Sequence, residues 1–130
     1  MKLTFSAISS LMDAFNEIEG AAKLPFKLGL ILAKNVAVLK QEEEFFVEKE
    51  REFALTYLEV DPETGMLVVE GENLYKIKEG KEQECREARE ALNNFEVDVE
   101  LRRIPASLLE NMEFSLTTLM ALEILIDEEA

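Results

Sequence analysis

The sequence predicts an α+β fold: a long antiparallel helical hairpin, a small antiparallel β-sheet and a buried C-terminal helix. Three observations lead there. Apolar residues recur at three- and four-residue steps over 4–20 and again over 25–58, residues 95–103 alternate apolar and charged side chains, and a turn sequence separates the two kinds of pattern. With 130 residues, 48% hydrophobic and 32% charged, and only five Gly and three Pro, the chain has the make-up of one folded domain rather than a disordered tail. A single domain over 1–130 is expected, with the helical hairpin at 4–58 and the sheet and remaining helices at 66–127.

In 4–20, Phe5, Ile8, Leu11, Met12, Phe15 and Ile18 form one apolar stripe, Gly20 is a natural stop, and Ser6 is a candidate cap unless MKLTF is a short strand leading into the helix. Pro25 suits a first helical position, and the next proline is Pro62, so one uninterrupted helix over 25–58 is permitted. Its apolar side gathers Leu28, Ile31, Leu32, Val38, Leu39, Phe45, Phe46 and Phe53 at close to a heptad period. DPETG at 61–65 is a turn by its chemistry. MLVVE and LYKIK around GEN read as a β-hairpin over 66–78, which must pack on a helix to persist. A third helix is expected over 81–94, with Cys85, Ala88 and Leu92 on one face followed by Phe95. In FEVDVELRRI the period of two places a strand that joins the hairpin in one sheet. After Pro105, Ser107 and Ser115 are candidate caps for a short turn and for a last helix over about 116–127, apolar nearly all round and so expected to be buried or to face another copy.

The stretch LILAKNVAVL at 30–39 poses a question, because Lys34 and Asn35 interrupt an otherwise greasy helix. Lys34 can extend its ammonium to water from the flank of the stripe. Asn35, Glu42 and Lys49 follow at seven-residue steps among Leu39, Phe46 and Phe53, so two readings stand side by side. In one, these six residues form a seam between paired helices, where a buried amide sets register. In the other, the stripe is half buried and the polar groups reach water at its edge.

The formal charge of -14 comes from 28 acidic and 14 basic residues, and the segment from Gln41 onward carries 25 of the acids against 9 of the bases. Such a field opposes a phosphate backbone, so direct nucleic-acid binding is not expected, whereas a basic protein would meet the later part of the chain. Glu43, Glu44, Glu48, Glu50 and Glu52 form a candidate acidic partner face. Carboxylates so close can in principle act as acid and base or hold Mg²⁺, but no glycine-rich loop, nucleophile motif or histidine accompanies them, and a solvated helix face is the ordinary reading. The lone Cys85 sits on an apolar stripe with no histidine in the chain to act as its base, so it reads as a packing residue. Arg102 and Arg103 can meet an acidic partner or simply offset neighbouring carboxylates. No catalytic, metal or cofactor-binding set is therefore expected. The lack of a signal sequence, of a spanning apolar run and of cysteine pairs leads to the expectation of a soluble cytoplasmic protein without membrane contact.

The segments LPFKLGLILAKNVAVLKQEEEFFVEKEREF and IPASLLENMEFSLTTLMALEILI resemble small acidic proteins encoded by phages and prophages of Gram-positive bacteria. The resemblance covers an N-terminal helix, a Pro-Phe-Lys entry to a long helix carrying Ala33-Lys34-Asn35, a hairpin and a Leu-rich closing helix. It implies viral origin and a setting inside an infected bacterial host, with no enzymatic activity attached; the heavier carboxylate load here departs from the pattern. Two functions follow as expectations: a non-enzymatic protein that binds itself or an unknown phage or host protein, and an acidic inhibitor that mimics nucleic acid toward a host nuclease, polymerase or defence complex.

Overall fold

The structure, a computed structural model, describes residues 1–21, 23–72 and 74–129. Its dominant element is a single helix, α2, running unbroken over Phe26–Tyr57. At 32 residues this helix is about 48 Å long, more than the width of a small domain, so a single core has trouble covering it. The chain accordingly divides into two compact units where the sequence suggests one: Met1–Glu44 with Glu96–Ala130, and Phe45–Phe95. The α+β class and the long helix preceded by a second, packed helix are as expected.

In the first unit, β1 (Lys2–Leu3) pairs antiparallel with β4 (Val97–Asp98), Lys2 opposite Asp98 and Leu3 opposite Val97. The chain then enters α1 (Phe5–Ala21), whose stripe of Ile8, Leu11, Ala14, Phe15 and Ile18 is buried. Thr4, not Ser6, caps this helix: its Oγ1 accepts from the N–H of Ala7 at 3.2 Å, because the strand ends at Leu3 and Thr4 is the residue left at the junction. The helix closest to α1 is α4 (Leu116–Leu122), joined to it through Glu17 and the buried Thr118. Ser115 caps α4 as the sequence suggests, its hydroxyl accepting from the N–H of Thr118 at 3.2 Å.

The closing helix differs from expectation in length and burial. It ends at Leu122 instead of near 127, and Leu122 and Leu125 are buried while Leu116, Leu119, Met120 and Ile124 are exposed. The chain turns there so that β6 (Ile126–Asp127) can lie parallel to β5 (Ile104–Pro105), with the N–H of Ile104 donating to the carbonyl of Leu125 at 2.7 Å. A three-residue 3₁₀ turn, Ala106–Leu108, follows Pro105 without a side-chain cap from Ser107.

The predicted single sheet is also replaced: among the described residues there are three two-stranded sheets. FEVDVELRRI does not stay with the hairpin, because its backbone groups find other partners. Val97–Asp98 pairs with β1, the buried Val99 donates to the carbonyl of Met1 at 2.8 Å, and Arg102 is held by a side chain of α2.

In the second unit, the turn after α2 is built as its residues dictate: Asp61 Oδ1 accepts from the N–H of Glu63 at 2.8 Å, and Gly65 takes φ +70. Strands β2 (Val69–Gly71) and β3 (Leu74–Tyr75) form the expected hairpin. Its missing partner comes from the chain leaving α2, through bridges Leu58–Ile77 and Val60–Leu67. Three backbone bonds then close a ring: Glu59 donates to Lys76 (2.8 Å), Lys76 to Val68 (2.8 Å) and Val68 to Glu59 (2.9 Å). The ring leaves fewer open strand edges than a lone hairpin would. Gly80, at φ +82, leads into α3 (Glu82–Asn94), which buries Cys85.

Candidate protein-docking groove

The residues of the predicted helix seam part company once α2 is packed. Asn35 is 1% exposed, and Leu39 and Phe46 are fully covered, all by their own chain. The carboxamide of Asn35 finds the partner it needs in the backbone of Arg102, donating to the carbonyl at 3.0 Å and accepting from the N–H at 2.7 Å. A buried Asn therefore serves an intrachain join to an extended segment here. Glu42 is half-buried, Lys49 is exposed and Phe53 is half-buried, so the seven-residue steps do not give the three polar residues one environment.

The predicted acidic face is dispersed around the helix. Glu43 is half-buried and Glu44 exposed, while Glu48 pairs with Arg51 at 3.4 Å and Glu52 with Lys49 at 3.2 Å. Glu50 receives both arms of the Arg89 guanidinium, one at 2.8 Å, and that bond raises the Arg89 pKa. Among the described residues, no three acidic or cysteine side chains come together as a metal site would require, and no helix is long and apolar enough to cross a membrane.

What the structure adds is an open apolar groove of about 400 Å³ between the C-terminal part of α2 and α3, wholly within the 45–95 unit. Its walls are Phe45, Phe53 and Tyr57 from α2 and Leu92 and Phe95 from the α3 side, and its floor is low where Ala88 and Ala91 lie one turn apart. The aromatic rings hold one another in place. Phe45 stands edge-on to Phe46 with centroids 5.4 Å apart, Phe95 lies 6.0 Å from Phe45 and 6.1 Å from Phe46, and Phe53 lies 5.3 Å from Tyr57. Three cations lie near aromatic rings of this unit: Lys49 near Phe45 (5.6 Å), Lys81 near Tyr57 (5.9 Å) and Arg89 over Phe53 (4.6 Å).

These contacts fix the groove before any ligand arrives, yet leave rings in water: Phe45 is 39% exposed and Phe95 48%. Of the polar residues in its lining, Lys49 and Glu52 are bound to each other and the Thr56 hydroxyl donates to the Glu52 carbonyl, so the open part of the trough is largely apolar. Lys49 and Phe53 were legible in the sequence as seam residues, and Ala88, Leu92 and Phe95 only as one face of a helix. Tyr57 and Ala91 were not, since only packing shows that they border the same trough.

No protein-family model matches the chain, and neither the curated proteins nor the solved structures yield a match.

Proposed function

We propose that this chain is a non-enzymatic accessory protein of phage type that works by protein–protein contact in the bacterial host cytoplasm, and that it assembles with copies of itself. The observation that carries the reading is the pre-set aromatic groove with Phe45 and Phe95 partly in water. Covering apolar area of this kind returns about 25 cal/mol per Å², and rigid aromatic anchors in a pocket are the usual centre of a protein interface. The competing reading, an acidic decoy for a basic nucleic-acid enzyme, has less support, because Glu48, Glu50 and Glu52 already hold Arg51, Arg89 and Lys49. Light scattering across a concentration series tests the proposal. A mass that rises to a defined multiple of the monomer, and falls back in a Phe95→Ala variant, supports it; a monomer at every concentration up to tens of micromolar overturns self-assembly.

A further inference from the structure

We infer that the occupant of the α2–α3 groove is the exposed, basic N-terminal part of α2 from another copy of the chain. The inference rests on the self-assembly reading above and names the two surfaces that would meet. Phe26 is 84% exposed and Leu30, one turn further on, is 40% exposed, so two large apolar side chains stand side by side on open helix surface. Lys23, Lys27 and Lys34 accompany them, all exposed, and the sequence from Ala21 to Gln41 contains no carboxylate. This is a greasy ridge flanked by positive charge.

The groove is its complement in both respects. Its trough is aromatic, and its α3 border is acidic: Glu84 and Glu87, both exposed, precede Ala88 and Ala91 by four residues and so share their side of the helix, while Arg89, over Phe53, is held by Glu50 and Lys81 lies by Tyr57. Lys49 and Glu52, the charged residues of the lining itself, are paired with each other and offset one another's charge. A ridge carrying Phe26 and Leu30 with lysines alongside matches an acid-rimmed aromatic trough in the helix-in-groove manner, where the apolar anchors supply affinity and the charges supply orientation. Because the ridge and the groove are different surfaces, each copy offers one of each, and assembly can close as a reciprocal pair or a ring or continue as a chain.

Charge reversal tests the pairing. Lys27→Glu with Lys34→Glu, and separately Glu52→Lys with Glu87→Lys, are each expected to weaken self-association on the order of tenfold or more, and higher salt to weaken the native assembly. All four changes in one chain put an acidic ridge against a basic rim and are expected to restore association, which a merely misfolded variant would not do. Independently, mixing Phe26→Cys and Phe95→Cys chains under mild oxidation is expected to yield a 26–95 disulfide by peptide mapping, and this readout serves if a reversal variant fails to fold. If the wild-type chain assembles but the two-residue variants do so equally well and no 26–95 link forms, the pairing is wrong while self-assembly stands. A wild-type monomer removes both.

Discussion

Asn35 grips the main chain of Arg102 at both of its hydrogen-bonding groups, the carbonyl at 3.0 Å and the N–H at 2.7 Å. The amide is thus the mould for a segment that has left the β1–β4 ladder and has not yet reached β5. Its burial at 1% exposure makes the join expensive to lose, since removal would leave two backbone groups without partners.

Replacing Asn35 by Ala or Leu is therefore expected to cost about 2–4 kcal/mol in urea denaturation, the sum of one or two unmet polar groups and the local repacking. Asn35→Asp keeps an acceptor for the N–H but faces the Arg102 carbonyl with charge, and is expected to be destabilising too. Hydrogen exchange at the Arg102 amide should rise by orders of magnitude in each variant; unchanged protection would refute the clamp.

A second join links α1 to the start of α4. Glu17 accepts from the N–H of Ser115 at 3.3 Å, from its hydroxyl at 3.2 Å and from the Thr118 hydroxyl. A carboxylate at this end also meets the positive pole of α4. Ser115→Ala is expected to cost about 1 kcal/mol and Glu17→Gln about the same, with the double variant costing less than their sum because both remove one network. Strict additivity in a double-mutant cycle would show that the two residues act apart.

The pH response should be visible at Asp98. The ammonium group of Met1 hydrogen-bonds its carboxylate at 2.9 Å and holds it below the ordinary carboxylate range, the bond being the larger cause and the charge the next. A carboxyl with a depressed folded-state value adds stability above the ordinary range and loses it as pH falls through the folded value. Carboxyl-detected NMR titration should give Asp98 a midpoint below that of an unperturbed aspartate, and acetylating the α-amine should return it to the ordinary range. A normal midpoint in the unmodified chain would dismiss the ion pair.

In the 45–95 unit, Arg89 binds Glu50 with two nitrogens and lays its guanidinium over Phe53. Lysine can do neither in the same way, so Arg89→Lys is expected to lower stability by about 1 kcal/mol; the figure stays small because both partners are a third exposed and solvent screens them. Thermal unfolding of Arg89→Lys beside Glu50→Gln checks it, and a Tm equal to wild type in both would show that the pair contributes nothing.

How much of this could be read beforehand depends on which interactions are local. The span of α2 was legible because no proline interrupts 26–57 and its stripe repeats over many turns, and the Ser115 cap and the 61–65 turn were legible from residue chemistry alone. The strand is shorter than the alternation over 95–103 suggests: alternation marks a residue's two faces, but Asn35, far away in sequence, takes the ladder position at Arg102. The last helix stops short of its apolar run for a similar reason, as the parallel match of Ile126 to Ile104 is invisible until both ends are placed. Within the groove, the apolar side of α2 includes Phe45 and Phe53, yet only packing reveals that Phe45 stays exposed and Phe53 half-covered.

The 45–95 unit interrupts a frame whose own parts come from both sides of it in sequence. The β1–β4 pairing and the α1–α4 packing therefore join residues on opposite sides of the insert, far apart in sequence. Order within 45–95 shortens the loop that this frame must close, so loosening the interloper is expected to slow closure of its host as well.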